Sequence, residues 1–192
     1  MSEEFIKLIQ ELNRDNTDKL LTTIKKLGFF EAPASANHHL NKFSGLVEHS
    51  ISVYNCALHL KVMIQSIDPF WKAPEDDSIR VAALLHDVCK ADTYYTTVKR
   101  QRMQDGTWKD VPTYGVDYSQ LPLGHGEKSI SIILQCGYPL TREEMLAIRW
   151  HMSSFKLNPF DMEEMGNFRC ASIEPLVYLI QAADQLSTHL NK

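Results

Sequence analysis

The stretch "ALLHDVCKAD" (Ala83 to Asp92) sets the strongest condition on this 192-residue chain. It reads as the end of a buried helix, yet it carries His86, Asp87 and Lys90. Ile79, Ala82, Ala83 and His86 fall at i, i+3, i+4 and i+7, so His86 lies on the apolar stripe and faces inward. Lys90 follows one turn later on the same face. An unpaired buried charge costs several kcal/mol, so such groups stay inside only when paired or bound to a metal. Any fold for this chain must bring partners to that helix end.

The partners are visible elsewhere. His49 has Leu46 three residues before it and Val53 four after; Asp184 shares a stripe with Val177 and Ile180, and His151 with Ala147 and Ile148. For one such residue alone, a core histidine bonded to a backbone carbonyl is the simpler account. For four or five on separate helices, that account needs an independent partner for each. One divalent cation satisfies them together, and imidazole with carboxylate suits Mn, Fe, Ni, Zn or similar ions.

The remainder of the chain reads as mainly helical. Phe5, Ile6, Ile9 and Leu12 repeat at helical spacing, and Leu20, Leu21, Ile24 and Leu27 form a second set stopped by Gly28, so residues 1–28 are two helices. Residues 29–45 form a loop long enough to suggest function. Helices are predicted from Leu46 past Leu60, from about Asp77 to Cys89, from about His125 to Gln135, from Thr141 to His151 with Thr141 and Glu144 as a capping box, and from about Glu174 to His189. Between them, about residues 93–118, β-branched and aromatic residues flank Asp105-Gly106, a hairpin signal.

Composition narrows the partners. A formal net charge of -4 does not suit a broad basic surface for duplex nucleic acid. No stretch approaches the ~20 uninterrupted apolar residues of a membrane span. The acidic, amphipathic start "MSEEFIKLIQELNRD" lacks the regions of a signal peptide. The four scattered cysteines read as reduced thiols of a cytoplasmic protein.

A histidine on one helix, an adjacent His-Asp at the end of the next and an aspartate on a late helix resemble the HD superfamily of metal-dependent phosphohydrolases. The matching residues are His49 in "GLVEHS", His86 and Asp87 in "LLHDVCK" with Lys90 retained, and Asp184 in "AADQLS". The resemblance covers roughly residues 36–188 and implies a single all-α domain, an HD helical bundle with the metal among its central helices and the β-hairpin as a small insertion. It also implies one or two divalent metal ions. His49, His86, Asp87 and Asp184 would cage the first, and Asp87, His125 and His151 would build a second. If only one metal binds, His125 and His151 would line the substrate pocket. HD-GYP phosphodiesterases place a His-His pair where this chain has His151-Met152, and the GYP signature is absent.

The implied reaction is hydrolysis of a small anionic phosphoester, a nucleotide or a phosphodiester, by a metal-activated water. Asp87 and Lys90 would be catalytic, Lys90 meeting the phosphate or its leaving oxygen as a cation; its alternative is a solvated lysine complementing the helix dipole. His38 and His39 would reach the pocket from its rim, and Arg149, beside His151, would meet the substrate or brace a metal ligand. Lys99, Arg100, Arg102 and Lys109 make the hairpin basic, which suits a nucleotide or oligonucleotide tail, although such residues also protect strand edges. Two other readings stay open. HD-fold di-iron oxygenases use the same His, His-Asp, His, His, Asp order, and a non-catalytic sensor would keep the metal as a staple.

Overall fold

The structure, a computed structural model, describes residues 1–153 and 157–190. They form eight α-helices and one two-stranded antiparallel sheet. In chain order the helices are α1 (Ser2–Gln10), α2 (Thr17–Leu27), α3 (Gly45–Ile67) and α4 (Asp76–Leu85), then, after the strands, α5 (His125–Gln135), α6 (Arg142–Trp150), α7 (Met162–Ala171) and α8 (Pro175–Leu190). The strands are β1 (Tyr94–Arg102) and β2 (Trp108–Val116). Mostly helical is the accurate description, with the sheet as its one exception.

The core lies where α3, α4, α6 and α8 meet; α3 packs on α4 and α8, and α6 packs on α4, α5 and α8. The apolar stripes do this. Leu46, Val53 and Ala57 of α3, Ile79, Ala82 and Ala83 of α4, Ala147 and Ile148 of α6, and Val177 and Ile180 of α8 are all fully buried. Each fully buried aliphatic side chain contributes about 1.5–3 kcal/mol by leaving water. Helix α2 ends as its sequence requires. Gly28 takes φ +91°, its N–H donates to Lys25 O and the Phe29 N–H to Ile24 O, the two bonds of a Schellman cap. Helix α6 begins with the expected capping box, Thr141 and Glu144 each bonding the other's backbone N–H.

Two elements depart from the sequence reading. Helix α4 stops at Leu85 rather than Cys89 and gives way to a 3₁₀ turn over Val88–Lys90. Helix α7 was not foreseen. Only its Ala171 is buried, so no apolar stripe announces it; the signal that remained is Asp161, whose side chain accepts from the Glu164 N–H and caps it.

The hairpin matches its expected span. Arg102 pairs with Trp108, the Met103 N–H donates to Thr107 O and the Gly106 N–H to Met103 O, with Gly106 at φ +81°. This is a three-residue loop closed by a left-handed glycine, one of the favoured hairpin connections.

Candidate metal centre

The cage begins at the break in α4. Asp87 sits at φ -108°, ψ 19°, outside the helical region, between the end of α4 and the 3₁₀ turn. A broken helix strands backbone groups, and Ser129 of α5 takes two of them. Its Oγ donates to His86 O at 2.7 Å and accepts from the Cys89 N–H at 3.1 Å. Asp87 and Lys90 are both buried at this turn.

His49, His86, Asp87 and His151 are at most 2% exposed. They come from α3, the end of α4 and the end of α6, and Asp184 joins them from α8. His49 Nε2 lies 3.1 Å from Asp184 Oδ1 and 3.3 Å from His86 Nε2. His86 Nε2 lies 3.3 Å from Asp87 Oδ2, and His151 Nε2 lies 3.4 Å from Asp87 Oδ1. Two groups of potential ligands result, His49–His86–Asp184 and His86–Asp87–His151, with a third in Asp87–Cys89–His125.

The hydrogen bonds behind these rings decide whether a cation fits. His86 Nδ1 meets Ala83 O at 2.8 Å, and His151 Nδ1 meets Ile148 O at 2.8 Å. A carbonyl oxygen can only accept, so each Nδ1 carries a proton, and whenever the ring is neutral its Nε2 lone pair points inward. At His86 burial opposes the charged ring, but Asp87 and then Asp184 outweigh it and raise the pKa. Those lone pairs face carboxylate oxygens. Acceptor against acceptor at 3.3–3.4 Å is repulsive unless a proton or a metal ion lies between them. Asp87 Oδ1 and His151 Nε2 are moreover buried with no hydrogen-bond partner among the described residues. The donor set, imidazole nitrogen and carboxylate oxygen, suits a first-row divalent ion, and the residues fit one.

The electrostatics agree. Burial pushes the Asp87 carboxyl up, but Lys90 and the His86 and His151 rings outweigh it and hold the group well below the usual carboxylate range. Burial also opposes ionisation of Asp184, yet the His49 contact and the neighbouring imidazoles bring it to about 2. Burial lowers His49 despite Asp184. Lys90 is 8% exposed rather than solvated, and its Nζ donates to Asp87 Oδ2 at 2.6 Å. Burial would neutralise it, but Asp87 prevails and raises its pKa.

A cavity of about 270 Å³ opens onto this cluster, lined by His39, His49, Asp87, Lys90, His151 and Asp184 among others. Of the loop pair, His39 reaches it: its ring centroid lies 5.0 Å from that of His49, and neither nitrogen has a partner among the described residues. Burial, then His49 and Lys90, lower its pKa to about 4. His38 is exposed and lies outside the lining, its N–H donating to Ser35 Oγ. His125 is half-buried and lines a neighbouring cavity with Arg149. Arg149 is engaged by Glu127 at 2.6 Å and Glu164 at 3.3 Å, with its guanidinium over the Trp150 ring. Sequence reasoning missed Met152, Gln185, Thr188 and His189 in the main cavity. The last three follow Asp184 by one, four and five residues, and that spacing along one helix was the available signal.

The model of the HD domain family matches residues 46–189. The chain belongs to the HD-domain family. Over 91 residues this HD domain is 34% identical to the dihydroneopterin 2′,3′-cyclic phosphate phosphodiesterase of Methanocaldococcus jannaschii, covering 47% of this chain and 33% of that protein. The HD domain described here therefore aligns with about a third of the length of that curated relative. No solved structure matches the chain at a significant level. Among the described residues, no helix of this HD domain is long and apolar enough to cross a membrane.

Proposed function

We propose that this HD domain is a metal-dependent phosphohydrolase that cleaves a small phosphoester, either a nucleotide or a phosphodiester. The observation that carries the reading is the convergence of three imidazole Nε2 atoms and two carboxylates, with Asp87 Oδ1 and His151 Nε2 left at its centre without a hydrogen-bond partner among the described residues. His49, His86, Asp87 and Asp184 would hold one ion; Asp87, His151 and His125 would hold a second. Held by these residues, a divalent cation would supply Lewis-acid polarisation of a phosphoryl oxygen and a water of lowered pKa, water being otherwise a poor nucleophile.

The chain's own residues do the rest. Lys90, anchored by Asp87 and open to the cavity, places a fixed positive charge beside the phosphoryl oxygens, where charge grows during displacement. His39, at the rim with neither nitrogen partnered among the described residues, is set to bond the organic part of the ester. Arg149, committed to Glu127 and Glu164, braces α5 against α6 and α7 and does not meet substrate. The cavity volume suits a small anion with a nucleoside-sized group and excludes a duplex. The substrate in the relative's name is a 2′,3′-cyclic phosphate, which makes nucleoside 2′,3′-cyclic phosphates the first probes.

With manganese or iron and without oxygen, the protein should hydrolyse bis-p-nitrophenyl phosphate, and some nucleotide or cyclic phosphate faster. Asp87→Ala should lose both that activity and most of its metal by elemental analysis. Fully metallated protein that turned over no phosphoester across a broad panel, but consumed oxygen, would replace this reading with the oxygenase one. Neither activity would leave a non-catalytic metal-binding domain.

A further inference from the structure

The β1–β2 ribbon is unexplained by the metal site. Nine residues on each strand pair with each other, and neither strand packs substantially on a helix among the described residues. At a rise of ~3.3 Å per residue the ribbon extends roughly 25–30 Å. An isolated two-stranded ribbon is marginal in water, so its length needs a use. It springs directly from the site: Lys90 is followed by Thr93, whose carbonyl accepts from the Asp117 N–H and closes the ribbon's base. Tyr94, the first strand residue, is within electrostatic reach of Lys90 and Asp87.

The register sorts the side chains. Directly paired residues share a face, so Tyr94, Thr96, Val98, Arg100 and Arg102 of β1 lie with Trp108, Asp110, Pro112, Tyr114 and Val116 of β2, Asp110 directly opposite Arg100. Trp108, directly opposite Arg102, is 58% exposed, and Val98 is 64% exposed. The other face brings Lys99 and Lys109. The ribbon carries these four cations against two carboxylates, Asp105 and Asp110, whereas the chain as a whole has a net charge of -4. An exposed indole flanked by guanidiniums offers a plane for a base and donors for phosphates.

We infer that the ribbon is an arm that binds single-stranded nucleic acid, with Trp108 stacking on a base and Arg100 and Arg102, on the same face, meeting the backbone. Single strands are favoured because only an unpaired base offers its face to Trp108. The acidic remainder of the molecule opposes the long phosphate array of a duplex. A strand held along the ribbon lies on an element rooted beside Lys90, so a terminal or cyclic phosphate is carried toward the cage. That delivery rests on the phosphohydrolase reading; the binding itself does not.

The two are separable with the full chain kept metal-free in EDTA. Fluorescence anisotropy with a labelled 12-nucleotide unstructured single strand should show binding that weakens with salt. Arg100→Ala with Arg102→Ala should weaken it about tenfold or more and flatten the log–log salt slope by about 1.4, at ~0.7 per phosphate contact. Trp108→Ala should weaken it about tenfold, while Trp108→Phe, which keeps an aromatic plane, should retain most of it. None of these variants should alter hydrolysis of bis-p-nitrophenyl phosphate by metal-loaded protein. Absence of binding, equal binding by the variants, or equal binding of a duplex of the same length overturns the arm. Binding as described without any phosphoester hydrolysis leaves the arm standing and removes the phosphohydrolase reading instead.

Discussion

Lys90 holds two relations at once. It is paired with Asp87 at 2.6 Å, and it lines the cavity that opens onto the cage. Were it only a structural partner for Asp87, removing it would disturb the ligand set and the metal with it. A bound cation, however, compensates the Asp87 charge better than a lysine does, so loss of Lys90 leaves the cage able to fill. Lys90→Met is therefore expected to keep full metal content by elemental analysis and to lose a factor on the order of 10² in turnover at saturating metal, the scale of one preorganised electrostatic contact. Its raised pKa keeps the amine charged across neutral pH, so Lys90 contributes no limb to the pH–rate profile in that range. A variant that lost metal in proportion to activity would return Lys90 to a structural role. At this scale the sequence was informative where periodicity applies: the stripes placed His49, His86, His151 and Asp184 inside, because a helix fixes direction every residue. It could not separate His38 from His39. A loop has no period, and the path that turns one ring to the cavity and the other to solvent is set by tertiary contacts.

The helices show where pattern gives out. The apolar run through "VAALLHDVCK" continues the stripe past Leu85, and nothing in it announces a break. What ends α4 lies 40 residues on, in the Ser129 hydroxyl that takes the Cys89 N–H and the His86 carbonyl. The close approach of α5 to α6 that seats Ser129 depends on Gly126, where a Cβ would fall 2.4 Å from Arg149 Cα and O. Pairings of this kind are long-range, so a local reading extends the helix one turn too far. Ser129→Ala would leave two buried backbone groups unpartnered at a cost of about 2–6 kcal/mol in all. For a domain of this size that is a fall of about 4–24 °C in Tm. Because those groups flank Asp87, metal affinity should fall as well, whereas a substitution on an exposed face of α5 should change neither. Calorimetry and metal titration of the variant check both, and a Tm loss with unchanged affinity would show that the break needs no help from α5. Helix α7 was missed for the opposite reason: with Ala171 as its one buried residue, it has a cap but no stripe.

Taken whole, the molecule is built around a polar point that its core surrounds. The helices that bury the largest apolar faces, α3, α4, α6 and α8, are the ones that supply His49, His86 with Asp87, His151 and Asp184. The candidate metal site and the hydrophobic core are thus one structure, which is why the site was legible in the same stripes that gave the fold. The exposed ribbon was readable as a hairpin, since its turn chemistry is local, but the sharing of one face by Arg100, Arg102 and Trp108 needed the register. A cation bound by ligands from separate helices ties those helices together in the folded state only. Metal should therefore stabilise by mass action, by about 2.7 kcal/mol when free ion is at 100 times its dissociation constant. That is a rise of about 5–11 °C in Tm over EDTA-treated protein. The size of the rise and the number of ions can be read together. If Asp87, His151 and His125 hold a second ion, His151→Ala should take the content from about two per chain to about one, and the first ion should still raise Tm. Titration of the unaltered protein with manganese or iron that saturated at one would defeat the two-ion arrangement and return His125 and His151 to the substrate. A Tm indifferent to metal would go further, because a cage drawn from α3, α4, α6 and α8 cannot fill without stabilising the fold that assembles it.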